Sequence, residues 1–250
     1  PDCVVIAAST RALAGGLFDY GDLGAVTAKG FAQPVRMWRV YSEGALASRF
    51  EALRSAETPL IGREEEIELL LRRWLRAKGG EGQAVAISGE PGIGKSRLAV
   101  ELQQRIAPES HACIRYFCSP HQQDSVLHPI VAELERAAGF GRNEPPEIKV
   151  ERLEALLART TAPAEDVALL ADLLSLPRTN RHPPLKLTPQ RQKERTFEAL
   201  VRQLVGLAGR HPVLMIVEDA HWSDPTSRDW MERVVERLRD LPILLVVTFR

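Results

Sequence analysis

The sequence is poor in the residues that build disulfide frameworks and structural metal sites. Its 250 residues contain three cysteines, Cys3, Cys113 and Cys118. The number is odd and no two have CxxC spacing, which argues against a disulfide scaffold or a zinc site and for reduced, mostly buried thiols in a cytosolic chain. The histidines His111, His121, His128, His182, His211 and His221 show no metal-ligand spacing either. Neither sign of charge is in excess: 33 Lys plus Arg against 33 Asp plus Glu gives the chain as a whole no pull on nucleic acid or on an anionic membrane. No apolar run is long enough to cross a bilayer. The start lacks the basic stretch and apolar segment of a secretory signal, and no internal repeat is present. These absences leave a globular protein placed in the cytoplasm, long enough for one large domain or two smaller ones. Pro1 stands where a complete chain would carry Met, and Arg250 follows an apolar run directly, so both ends read as cuts through a longer protein.

What is present divides into two regions of different character. Residues 1–41 are rich in Gly and β-branched residues. Val4–Ile6 reads as a strand, Ser9 or Thr10 as the cap of a short helix through Leu13, and Phe18–Leu23 and Val35–Tyr41 as strands, with breaks at Gly15-Gly16, Gly24 and Gly30. Residues 42–57 are polar and read as a partly helical linker, closed by Thr58-Pro59. From Leu60 a second pattern begins. Ile67, Leu70, Leu71, Trp74 and Leu75 form one face of a helix that Gly79-Gly80 ends. Ala84–Ser88 and Ala112–Cys118 read as strands, with a helix from Lys95 to Ile106 between them. Helices follow near 126–138, 147–159, 164–175 and 190–207, the last two separated by a loop at Pro177–Pro189. The apolar runs Val213–Val217 and Ile243–Thr248, joined by a helix near 226–239, suit strands buried on both faces of a parallel sheet. The expected fold is α/β: a three-layer α/β/α parallel sheet with a helical insertion near 119–210, preceded by a small α+β fragment.

The stretch Gly89-Glu90-Pro91-Gly92-Ile93-Gly94-Lys95-Ser96 has the spacing GxxxxGK(S/T), between an apolar strand and a helix. Glycines let such a loop fold tightly, with several N–H groups turned toward phosphate oxygens. The helix start adds its positive dipole end, reaching Arg97. In this pattern the Lys95 ammonium meets the β and γ phosphates of ATP and the Ser96 hydroxyl ligates Mg²⁺. A carboxylate at a neighbouring strand end is then required, and Glu218-Asp219 supplies it after Val213–Val217. Glu218 is assigned to the metal and Asp219 to activation of water, although Glu stands where Asp is the usual first residue. Two readings stay open for each of three further residues. Arg250 is either a guanidinium brought to the γ-phosphate or a surface charge. Arg63 either packs on the adenine or faces solvent from a helix start. His221 either senses the γ-phosphate or packs the loop with Trp222. The six cations from Arg178 to Arg195 (Arg178, Arg181, Lys186, Arg191, Lys193 and Arg195) read as a charged loop and helix face.

Five segments in order, Leu60–Glu64, Gly89–Leu98, Leu187–Thr196, Glu218–Thr226 and Thr248–Arg250, resemble the AAA-type ATPase module of STAND signalling proteins. The likeness spans residues 58–250 and is greatest to the bacterial proteins in which this module follows a class III adenylate/guanylate cyclase domain. Thr10-Arg11, Leu23-Gly24, Lys29-Gly30-Phe31 and Pro34-Val35 are similar to the C-terminal end of that cyclase domain. The resemblance implies a slow ATPase or nucleotide switch within a cyclase-linked regulator, with a cyclase domain upstream and helical repeats downstream as partners. It implies that the cyclase's own catalytic residues, and a fifth strand of the sheet, lie outside this chain. Two other functions stay open on the residues alone: a nucleotide-sensing module without useful turnover, and a P-loop kinase acting on a small acceptor.

Overall fold

The computed structural model describes residues 3–14, 18–27, 33–43, 60–141, 144–160, 162–177 and 185–250. The chain divides into two compact units, residues 1–61 and 62–250. In the first, β1 (Val4–Ala7), α1 (Ala8–Ala14), β2 (Phe18–Val26) and β3 (Val35–Glu43) form an antiparallel sheet in the order β1-β3-β2 beside one short helix. Three expectations are corrected here. The helix begins at Ala8, so Ser9 and Thr10 lie within it rather than capping it. Gly24 does not end a strand: β2 runs on to Val26, and Gly24 sits in a pairing irregularity with its N–H donated to Asp22 Oδ1 at 2.9 Å. Ser42 and Glu43 finish β3 instead of opening a linker. The rest of that linker, and the breaks at Gly15-Gly16 and Gly30, lie outside the described residues. Arg11 lies 3.5 Å from the centre of the Trp38 ring, a cation over an aromatic face.

The second unit begins with α2 (Glu64–Lys78), whose first turn carries Glu64, Glu65 and Glu66 at the positive end of the helix dipole. Then follow β4 (Gln83–Ser88), α3 (Lys95–Ile106) and β5 (Ala112–Phe117). The helical insertion is α4 (His128–Ala138), α5 (Pro146–Ala158), α6 (Ala164–Leu173) and α7 (Pro189–Ala208), and the unit closes with β6 (Val213–Glu218), α8 (Pro225–Arg237) and β7 (Ile243–Phe249). Most of the loop expected before α7 lies outside the described residues. Two helix starts follow local chemistry. Thr188 and Asp224 accept from main-chain N–H groups of α7 and α8, and Pro189 and Pro225 take the first helical position, where no N–H is needed.

The four described strands of this unit are parallel, in the order β4-β7-β6-β5. The two central strands are the two most apolar ones, and alternation divides their side chains between two layers. Val213, Met215, Val217, Ile243 and Leu245 join Tyr116, Phe197 and Trp230 in a core beneath α4, α7 and α8. Leu214, Ile216, Leu244 and Val246, equally buried, face the opposite side, where α2 and α3 pack together. The three-layer α/β/α arrangement follows. β4 is an edge strand among the described residues, and Ala84, Ala86 and Ser88 are accordingly exposed. In the insertion, the fully buried Asp166 is held by Arg202 through Nε at 2.9 Å and Nη2 at 2.6 Å. Of the cysteines only Cys118 is buried; Cys113 is half-buried and Cys3 exposed, against the expectation of mostly buried thiols.

Gly82 admits the chain into β4 under a tight constraint. A Cβ there would lie 1.8 Å from the carbonyl oxygen of Leu238, a backbone atom that cannot rotate away. Gly82→Ala is therefore expected to lose at least about 2 kcal/mol in urea unfolding. A loss below about 0.5 kcal/mol, the range of an ordinary surface change, would contradict this account of the packing.

Candidate functional site

The parallel strands all end on one side, and that edge collects the segments singled out by sequence. The loop Gly89–Gly94 follows β4, Arg250 follows β7, and Asp219–Trp222 follow β6. The loop turns at Gly92 and Gly94, with φ of 82° and 101°, a region that side chains with a Cβ seldom adopt. Gly94 is also the residue from which α3 starts, and no side chain caps that helix. The first main-chain bond of α3 runs from Leu98 N to Gly94 O at 3.0 Å. The amides of Lys95, Ser96 and Arg97 precede it, at the positive end of the dipole.

Lys95 is 8% exposed. Its ammonium donates to the carbonyls of Gly89 at 2.7 Å and Glu90 at 3.0 Å, and among the described residues no carboxylate is paired with it. Ser96 follows on the first turn of α3, half-buried. Arg97 is turned along its own helix toward Glu101, at 3.4 Å, and its Nε finds no partner among the described residues. Pro91 and Ile93 are exposed on the loop. Arg63 bonds Glu66 at 2.6 Å and reaches the Ile93 carbonyl at 3.4 Å, so the start of α2 is tied to the loop.

The acidic pair is split by the end of β6. Glu218 is the last strand residue and points to the same side as Leu214 and Ile216, the layer of α3. There it forms an ion pair with Arg115 of β5, each side chain 6% exposed. Arg115 also approaches Gln103 of α3, at 3.4 Å. Sequence reading missed Arg115. The available signal was a lone Arg within the apolar strand Ala112–Phe117, a position that needs a buried counter-charge. Asp219 leaves the strand with φ 53° and ψ 44°, and its N–H is fixed by the Oγ1 of the fully buried Thr248 at 3.0 Å. Its carboxylate has no ion-pair partner among the described residues.

His221 lies on the short helical turn after Asp219. Its ring is 4.8 Å from that of Trp222, and the Arg250 guanidinium lies 5.7 Å from the Trp222 ring on the other strand end. Burial pushes the His221 imidazole below its usual range; Asp219 opposes this, and the charges of Arg250 and Lys95 add to it. Both ring nitrogens are buried and neither has a hydrogen-bond partner among the described residues. The structure therefore brings Gly89–Arg97, Arg63, Asp219, His221 and Arg250 to one edge. It holds Glu218 just below that edge, on Arg115.

No group of three or more His, Cys, Asp or Glu converges among the described residues. Mg²⁺ beside a nucleotide needs no such cage, since phosphates and water supply most of its ligands. Ser96 with one acidic strand end fits that donor set. An apolar cavity of about 250 Å³ between β5, α4, α5 and α7 includes none of these residues in its lining.

Such an edge, with a glycine-turned loop, a buried lysine at an uncapped helix start and a neighbouring acidic strand end, defines a P-loop nucleotide-binding fold. The chain belongs to the AAA ATPase domain family, which matches residues 59–247. It is also 32% identical, over its whole length, to an uncharacterized protein of Rhizobium meliloti (strain 1021), of which it spans 24%.

The buried ion pair beneath the edge gives a prediction that needs no nucleotide. Arg115→Met leaves Glu218 buried without its counter-charge and is expected to cost about 3 kcal/mol in chemical unfolding. The double variant Arg115→Met with Glu218→Leu should recover more than half of that loss. Equal stability of the single variant and the parent would show that the pair is not buried in solution.

Proposed function

We propose that residues 62–250 bind ATP with Mg²⁺ and hydrolyse it slowly, the difference between bound ATP and ADP setting a signalling state. The observation that carries this reading is Lys95: a buried ammonium held, among the described residues, by two loop carbonyls, beside the amides of a helix start that no side chain caps. Gly89, Glu90, Pro91, Gly92, Ile93, Gly94, Lys95, Ser96 and Arg97 form the phosphate cradle, and Arg63 lies beside it toward the base. Ser96 and Glu218 are the residues proposed for the metal. When bound, Mg²⁺ screens charge on the β and γ phosphates. Asp219 accepts a proton from water as the water oxygen attacks the γ-phosphorus and the bond to the bridging oxygen breaks. Arg250 balances negative charge at that terminal phosphate.

The longer relative, together with the cyclase-like character of the first forty residues, supports placing this module inside a larger cytoplasmic regulator with a nucleotide-cyclase domain upstream. The chain itself is not proposed to make cyclic nucleotide. The two described aspartates of its first unit, Asp19 and Asp22, sit on one strand, and Asp22 is engaged by Arg36, so no two-metal arrangement is proposed there.

A second reading, nucleotide sensing without significant turnover, is favoured by one observation. Glu218 is committed to Arg115, and a carboxylate so held must exchange that partner to serve a metal.

Lys95→Ala should lower ATP·Mg²⁺ affinity more than tenfold by calorimetry, because a point charge is lost while the backbone cradle stays. Unchanged affinity in a folded variant would remove the phosphate-loop assignment.

The acidic pair is tested by two amides. Asp219→Asn should keep ATP binding and lower turnover, and Glu218→Gln should weaken Mg²⁺-dependent binding. The opposite pattern would show the two roles exchanged, and no effect from either would exclude this strand end as the metal site.

A further inference from the structure

We infer that His221 is the residue by which this site distinguishes a nucleoside triphosphate from a diphosphate, by donating a ring N–H to the terminal phosphate. The inference rests on the nucleotide reading of the site and goes beyond it by naming the group that reads the phosphate count. It starts from an unsatisfied donor. A neutral imidazole carries one N–H and one bare nitrogen, and buried polar atoms normally find partners. Both nitrogens of His221 are buried without one among the described residues, although the ring is held in place against Trp222 at 4.8 Å. A ring that served only to pack the loop would leave a polar group unmatched where an apolar ring would do as well.

Its place in the sheet says which part of a ligand would meet it. The loop follows β4 and α3 begins there, so the amides at the start of α3 surround the phosphates nearest that strand. His221 follows β6, two strands away across β7. It feels the charges of Lys95, Asp219 and Arg250 together. Lys95 begins α3 at the end of the loop after β4, while Asp219 and Arg250 follow β6 and β7 at the same edge. The part of a phosphate chain that reaches all three is its last phosphate. A diphosphate ends before this point, and His221 then has nothing to bind.

The test compares Mg²⁺ complexes of a non-hydrolysable ATP analogue and of ADP on the full chain. His221→Phe keeps a ring on Trp222 and removes both nitrogens; His221→Asn keeps a donor. For His221→Phe, affinity for the analogue should fall at least about tenfold while ADP affinity stays within about threefold, and His221→Asn should regain part of the loss. In parent protein labelled with ¹⁵N-histidine, one His221 ring nitrogen should shift on adding the analogue and not on adding ADP. This readout does not depend on a variant folding. An unchanged analogue-to-ADP ratio in folded His221→Phe, or identical ring shifts with the two nucleotides, overturns the inference and leaves the nucleotide site standing. Failure of the parent chain to bind either nucleotide overturns both.

Discussion

The ammonium of Lys95 has two main-chain oxygens as its partners, and the geometry of the site turns on that interaction. A charge withdrawn from water needs either a counter-charge or a dense set of dipoles. Here the carbonyls of Gly89 and Glu90 turn inward to supply the dipoles. Their inward turn requires the reversals at Gly92 and Gly94 that follow, and Gly94 then launches α3 with no side-chain cap on its first amides. Loop shape, helix start and lysine position are one coupled arrangement. Its chemistry is complementary to a group that brings several negative oxygens at once: phosphate rather than a single carboxylate.

The sheet makes this arrangement usable by aligning strand ends. β6 and β7 are buried on both faces, so their polar residues are confined to the last turn of chain at the carboxyl edge, where α/β sheets bind ligands. Asp219, His221 and Arg250 reach the edge in this way. Thr248 shows how tightly the edge is built. It lies fully buried in β7, yet its hydroxyl accepts the N–H of Asp219 just past the end of neighbouring β6 and so fixes the left-handed turn there. Arg115 and Glu218 are the exception, a charged pair inside the layer between β5, β6 and α3. Its cost is offset only while both partners are present.

Much of this was legible in the sequence because the signals are local. Period 3.6 in Ile67, Leu70, Trp74 and period-free apolar runs in Val213–Val217 and Ile243–Thr248 report burial directly, and glycine spacing reports the loop. What was not legible depends on which strands are neighbours. Arg115 and Glu218 are 103 positions apart, and only the order β4-β7-β6-β5 brings their strands side by side. The same order places β4 at an edge among the described strands, which its apolar stretch Ala84–Ile87 did not announce. The turn at Asp219 was missed because a left-handed Asp is held by a hydroxyl from another strand, and no neighbouring residue signals it. Gly24 misled in the other direction: a glycine that reads as a strand end is absorbed by an irregular pairing inside β2.

The most direct test of the central claim is a crystal structure of the chain with Mg²⁺ and a non-hydrolysable ATP analogue. The account predicts that the Lys95 ammonium turns from the carbonyls of Gly89 and Glu90 to the β and γ phosphates, with the Ser96 hydroxyl on the metal. A nucleotide bound elsewhere, or phosphates in the loop with Lys95 still held on those two carbonyls, would contradict it.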